Sequence, residues 1–449
     1  RYDVSSTLPV DNNSFFYPAA TASLIYSELF DISGMDFGKL RLNYAQVGND
    51  APMQRLQNIY SMGTAFGSST LASAPNTGYN SNLLPENTTS LEIGFENKFF
   101  NNKLGLDITL YQATTDNQIL AVRPSSSSGT YFQYVNAGKV QNQGIELQLY
   151  ANVLQSGDFS WDTRINWARN RNEVLELTGN LETYQLGSFQ GGVTVEATIG
   201  ESYGSIKGTD FVYHDGEKIV VNHPSASRGG MVYGKTASTQ TIGNIMPDWT
   251  GGWTNTFSYK NLTASALIDV QWGGDFFSLD TWYGYGTGIY ADQAGTNADG
   301  VEVRESIANG GGLSIGGVMA STDADGAYVL DADGNFTSDG VANTVNGYVG
   351  DYNNYAGWKN APNAMHVYDA TYIKLRQLAI SYSLPSSMFS GKGFQGIDIG
   401  IMARNLAILY KKSPHTDPEA GLSAGNIQGY QSGAYPAVRE LGLNVTFKF

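Results

Sequence analysis

From Leu441 to Phe449 the chain alternates strictly. Leu441, Leu443, Val445, Phe447 and Phe449 fall on one face of an extended strand, and Gly442, Asn444, Thr446 and Lys448 on the other. The same two-residue period recurs upstream. Leu104, Leu106, Ile108 and Leu110 alternate with Lys103, Gly105, Asp107 and Thr109, and Ile145, Leu147, Leu149 and Val153 alternate with Glu146, Gln148, Tyr150 and Asn152. Phe159, Trp161, Ile165 and Trp167 oppose Asp162, Arg164 and Asn166. Leu262, Ala264, Ala266, Ile268, Val270 and Trp272 oppose Thr263, Ser265, Asp269 and Gln271. Further strands are expected at 15–29, 38–48, 86–99, 246–259, 366–384 and 396–410, and residues 2–8 read as the end of another. After Tyr372 the apolar set moves from Ile373 and Leu375 to Leu378, Ile380 and Tyr382, which predicts a bulge near Arg376 and Gln377. No convincing helix of any length is expected.

The connections say what kind of sheet these strands build. Short turns at 101–102, 156–157 and 260–261, with slightly longer ones at 30–37 and 385–395, alternate with long segments at 49–85, 123–139, 178–245, 278–365 and 411–435. Tight turns on one side and long loops on the other are the pattern of an outer-membrane barrel, whose strands put apolar residues toward lipid and polar ones in the lumen. The expected fold is therefore an all-β, transmembrane antiparallel barrel, with 1–449 as part of one barrel domain. Taking the last strand to run down into the periplasm, the count back gives twelve strands, the first truncated.

Composition agrees. Gly 53, Tyr 28 and aromatics at 12% suit many short strands and turns. No run of about 18 apolar residues is present, and a negative mean hydropathy is what alternating strands give. A net charge of −15 argues against a nucleic-acid surface, which needs clustered Lys and Arg. Absence of cysteine removes disulfides and thiolate metal sites. The start at Arg1-Tyr-Asp-Val, without Met or leader, leads us to expect a C-terminal fragment.

Several blocks carry a resemblance. Leu40-Arg-Leu-Asn-Tyr-Ala-Gln-Val-Gly-Asn49, Leu84-Pro-Glu-Asn-Thr-Thr-Ser-Leu-Glu-Ile-Gly94, Asn142-Gln-Gly-Ile-Glu-Leu147 and Met246-Pro-Asp-Trp-Thr-Gly-Gly252 resemble the C-terminal half of SusC-like TonB-dependent transporters of Bacteroidetes. So do Tyr372-Ile-Lys-Leu-Arg-Gln-Leu-Ala-Ile-Ser-Tyr-Ser-Leu-Pro385, Ala403-Arg-Asn-Leu406 and the closing Phe449. The resemblance covers nearly the whole chain in family order. It implies strands 11–22 of a 22-stranded, plugged barrel in the outer membrane of a Gram-negative bacterium, with a periplasmic C-terminus. It further implies an N-terminal barrel and plug portion outside this sequence, contact with TonB through that portion, and a SusD-like surface lipoprotein as partner. The implied activity is active import of oligosaccharides or peptides, with Phe449 resembling an outer-membrane assembly signal. A complete twelve-stranded passive pore and a soluble β-rich carbohydrate-binding protein are the other readings.

Chemistry in the residues themselves points to binding. His214, His223, His366 and His415 lack the spacing of a helical metal motif, and no nucleophile elbow occurs; no catalytic residue and no cofactor are expected. Polar-face charges Glu92, Glu146, Arg164, Asp269, Lys374, Arg376 and Arg404 are expected in lumen charge networks or against a plug. Tyr283-Gly-Tyr-Gly-Thr-Gly288 is read as loop, without the strand and helix a phosphate cradle needs. Asp331-Ala-Asp-Gly-Asn-Phe-Thr-Ser-Asp339 starts like a calcium loop, but Ala342 stands where the closing Glu belongs, so a hairpin over 328–336 is preferred. Trp161, Trp167, Trp253, Tyr259 and Trp272 are expected near strand ends as interfacial girdles. Trp282, Tyr283, Tyr285, Tyr290, Tyr352, Tyr355 and Trp358 crowd the longest loop, where no apolar core is expected, and are candidates for substrate or lid contact.

Overall fold

The computed structural model describes residues 1–179, 181–225, 227–389, 395–421 and 428–449. Its frame is one antiparallel sheet in which every strand pairs with its neighbours in sequence. The strands are β1 (Ala19–Ile25), β2 (Met35–Asn49), β3 (Glu86–Phe99), β4 (Leu104–Asp116), β5 (Gly138–Ser156), β6 (Phe159–Leu177), β7 (Trp249–Tyr259), β8 (Leu262–Trp272), β9 (Tyr372–Ser383), β10 (Gly396–Lys411) and β11 (Glu440–Lys448). Register holds apolar rows level across the sheet. Trp161, Phe257, Ala264, Ile380, Ile401 and Leu443 form one such row, and Ile165, Trp253, Ile268 and Leu375 another.

The sheet has eleven strands, not twelve. Residues 2–8 leave it: Tyr2–Val4 pairs with Ser14–Phe16 as a separate hairpin, closed by the Ser5 amide donating to the Asn13 carbonyl at 2.7 Å. Among the described residues the expected twelfth strand is therefore not part of the sheet. The short turns stand where expected, and left-handed Asn101, Asn102, Gly157 and Lys260 let two strands meet through a few residues. Residues 390–394 of the turn expected at 385–395 lie outside the described residues. The predicted bulge is present, since Leu375 and Gln377 pair across β8 and β10 while Arg376 is skipped. A second bulge at Val153 hands the outward position to Leu154, which pairs with Trp161. The segment expected as 366–384 splits, because Val367–Asp369 pairs with Asp275–Ser278 outside the sheet.

Among the described residues β1 pairs with β2 and β11 with β10, which makes them the two edge strands of the sheet, and every residue of both is exposed. No helix among the described residues is long and apolar enough to cross a membrane.

The buried apolar core lies in the long loops, contrary to expectation. Thr183–Phe189, Val193–Thr198, Ser205–Gly208 and Gln240–Asn244 form a four-stranded sheet, whose Val193, Val195 and Ile206 pack with Phe277, Leu279 and Tyr430. A second core joins Val212, Ile219 and Val318. The first core includes Leu279 of helix α1 (Leu279–Thr287), which the pattern did not reveal. Ser278 caps it by accepting the Thr281 amide, and Gly288 ends it in the left-handed conformation.

Candidate functional site

The inner face of the sheet presents the polar half of each alternation. On β2 to β4, Arg41 reaches Asp107 at 2.6 Å and Glu96 at 3.4 Å, while Asn43 donates to Glu92. Gly94 makes room for this fork, since a Cβ there would stand 2.7 Å from the Arg41 Nε. On β8 and β9, Asp269 stands opposite Lys374 in register and accepts from Arg376. Glu146, Arg164 and Arg404 make no ion pair among the described residues, so of the two expected roles the charge network is not formed by these three here. Glu146 shares a wall hollow with Asp107 and Asp269, and Arg164 one with Asp162.

What the sequence did not show is where the acids opposite Lys374 and Arg376 come from. They are Asp417 and Glu419, in the segment after β10. Lys374 Nζ lies 2.6 Å from Asp417 and also donates to Glu419. Arg376 donates to Glu419 at 2.7 and 3.0 Å and through Nε to Asp269 at 2.9 Å. Burial pushes Glu419 up, but hydrogen bonds from Arg376 and Lys374 and their charges outweigh it and hold the carboxyl at about 2. Nothing in the local pattern around Asp417-Pro-Glu419 foretells this, because the partners are more than forty residues away in sequence.

The loop aromatics form two joined groups. Trp282, Tyr283 and Trp358 lie with ring centroids 5.0–5.9 Å apart, and Tyr352 stacks on Trp358 at 6.0 Å. Tyr285 and Tyr290 meet at 4.9 Å, and His415 stacks on Tyr290 at 3.9 Å. Burial raises the Tyr290 hydroxyl to about 12 and the Tyr355 hydroxyl to about 12, so both stay neutral. Tyr283 and Tyr352 keep an exposed face while Trp282 and Trp358 are half-buried. These rings hold the loops to one another; the glycines of the 283–288 run sit in and just after α1, where Gly286 accommodates the Trp358 ring.

Of the girdle aromatics, Trp272 stacks at 5.9 Å at the loop end on Trp249, which was not among them, and Trp161 stacks on Phe257 toward the turn end. Trp253 is mid-strand instead, donating from its indole to Thr163 at 2.8 Å. The 328–336 stretch is a hairpin: Leu330 bridges to Phe336, and Asp331 accepts the amides of Asp333 and Asn335 at 2.9 and 2.8 Å.

Two further features stand at the loop end. A cavity of about 720 Å³ is lined by Arg171, Glu201, Asp248, Asp275 and Asp369. Burial pushes the Asp275 carboxyl up, the Asn244 amide opposes this, and Asp369 and Asp248 add to it. The other is a ledge. Residues 56–85 and 124–138 contain no Asp, Glu, Lys or Arg, and Thr77–Gly78 pairs in parallel with Phe132–Asn136 to join them. From it Tyr60, Met62, Phe66 and Tyr131 project, each more than 60% exposed. Both uncharged runs are visible in the sequence to anyone scanning for missing charge.

Comparison with known proteins places this architecture. TonB-dependent receptor P3 of Formosa agariphila is 25% identical over 477 residues, covering 100% of this chain and 43% of that protein. TonB-dependent receptor P26 of the same organism is 27% identical and covers 100% of this chain and 44% of its own length. SusC of Bacteroides thetaiotaomicron is 28% identical over 191 residues, 40% of this chain and 19% of that protein. The chain thus spans less than half the length of these relatives. Among solved structures, the RagAB peptide importer in the closed-closed state matches with a TM-score of 0.73 at 21% identity, over 100% of this chain and 45% of the matched one. Residues 1–349 fit the family described as TonB dependent receptor-like, beta-barrel, and the chain belongs to that family.

Proposed function

We propose that residues 1–449 are the C-terminal part of one barrel domain in a TonB-dependent importer of the outer membrane. The open eleven-stranded sheet carries this reading. Its outer face is apolar, its inner face is charged, and its two edge strands have all their residues exposed. Unpaired strand edges cannot stand in hydrocarbon, so β1 and β11 need further strands beside them. An upstream barrel portion supplies those strands, and an upstream plug fills the lumen against Glu92, Glu146, Arg164 and Arg404.

In this reading the long loops face the medium and the short turns and C-terminus face the periplasm. Phe449 serves as the assembly signal. The substrates are oligosaccharides or peptides, the latter class being that of the RagAB importer. The chain binds and passes them without altering a bond. A SusD-like surface lipoprotein docks on the loop end, and the ledge of Tyr60, Met62, Phe66 and Tyr131 suits it, because interface centres are depleted of charge and enriched in Tyr, Phe and Met. The Trp282, Tyr283, Tyr285, Tyr290 and Trp358 cluster orders the loops that meet substrate or lid.

Uptake tests the proposal. Cells complemented with the full-length protein should accumulate labelled oligosaccharide or oligopeptide, and loss of TonB should abolish accumulation. Accumulation that continues without TonB would mean a passive pore.

A further inference from the structure

The cationic pair on β9 is built by the wall and filled by a loop. Lys374 is 3% exposed. Arg376 occupies a bulge, so neither β8 nor β10 pairs with it and its side chain is free to aim inward. On β10 Asn405 takes a positive φ of 49°, uncommon within a strand, and its Oδ1 accepts from Arg376 at 3.0 Å. Tyr372, one turn of the pleat away, donates from its hydroxyl to Glu419 at 3.0 Å. Two departures from regular strand geometry thus hold one guanidinium in place.

The occupant belongs to a separate element. Asp417 and Glu419 flank Pro418 in the segment after β10, which is fastened by the Thr416 carbonyl accepting from Lys411 at 2.7 Å and Ser413 at 2.9 Å. Without these two acids Arg376 keeps Asp269 and Lys374 loses both of its acid partners. A buried cation left unpaired is strongly unfavourable, so the segment leaves most readily when another anion replaces it. Arg376 meets Glu419 through two nitrogens, the geometry with which a guanidinium selects carboxylates.

We propose that Tyr372, Lys374 and Arg376 form a carboxylate-binding site on the lumen wall, that Asp417-Pro418-Glu419 is its resident intramolecular ligand, and that an acidic peptide entering the lumen displaces it. The inference rests on the lumen being an import path. It names a peptide because a peptide with acids at alternate residues is what the site holds.

The test uses the full-length protein in detergent, with calorimetric titration of capped Asp-Pro-Glu and, as control, capped Asn-Pro-Gln. D417N/E419Q protein should bind the acidic probe at least tenfold more tightly than wild type. Adding K374M/R376M should abolish that binding, and the control peptide should not bind. Absence of binding to D417N/E419Q protein that still migrates as a folded, heat-modifiable barrel overturns the site, and so does binding unaffected by K374M/R376M. Binding of a galacturonate oligomer but not the peptide overturns the peptide assignment. Because D417N/E419Q could impair folding, an Ala420→Cys variant with the wall and both acids intact gives a second measurement. Acidic peptide should raise its thiol labelling rate severalfold, and no change overturns the displacement. These titrations need no TonB, so failure of import leaves them standing and their failure leaves import standing.

Discussion

Gly286 in α1 leaves space that Trp358 fills, and a Cβ added there would stand 2.4 Å from the ring. Gly286→Ala should therefore lower the local stability of the loop cap by about 1–3 kcal/mol, the usual scale for overpacking. Hydrogen exchange of the α1 amides should speed up accordingly. His366 offers a pH-dependent counterpart. Its ring is fully buried, and burial pulls its pKa down to about 4. An unfolded histidine takes up a proton near pH 6.5, whereas the folded one resists until about 4, so the neutral form's stability is full above 6.5 and lost between those values. That amounts to roughly 3 kcal/mol. Protection of α1 should fall from pH 7 to pH 4.5, and His366→Gln should flatten that slope. At this scale strand parity made Asp269, Lys374 and Arg376 legible. It could not supply Asp417 and Glu419, because an irregular segment has no period from which to read its partners.

Among the elements, the bulge at Arg376 was readable, since a one-residue slip moves the apolar set to the other face. Residues 2–8 misled, because three alternating residues fit a hairpin as well as a barrel strand, and Tyr2–Val4 finds its partner in Ser14–Phe16. Helix α1 was hidden for another reason. Leu-Asp-Thr-Trp-Tyr-Gly-Tyr-Gly-Thr has two glycines and two β-branched residues, poor helix formers, and owes its form to the Ser278 cap and to Leu279 packing in the loop core. The ledge belongs to this scale as well. If it docks the surface lipoprotein, M62D/F66D should weaken that complex at least tenfold, about 1.4 kcal/mol, while leaving heat-modifiability unchanged. Equal affinity in a pull-down titration would remove the ledge from the interface.

For the whole molecule, the alternation of short turns with long segments revealed the meander and its two ends. It did not reveal that the long segments carry their own packed cores, because their strands are short and their contacts bridge distant parts of the chain: β-pairing joins Ile219 to Val318, and Phe277 to Tyr430. Residues 1–449 contain no cysteine, so a cysteine introduced there is the one thiol of this part, and single-cysteine variants of the full-length protein, read against the unsubstituted protein as background, report its orientation. Asp299→Cys and Asp325→Cys lie in the long loops, Asp158→Cys and Asn261→Cys in the short turns. With a polyethylene-glycol maleimide too large for porins, the first pair should label in intact cells. The second pair should label only after the outer membrane is permeabilised. Labelling of Asp158→Cys or Asn261→Cys in intact cells, or recovery of the protein in the soluble fraction, would contradict a barrel set in the outer membrane with its long loops outward.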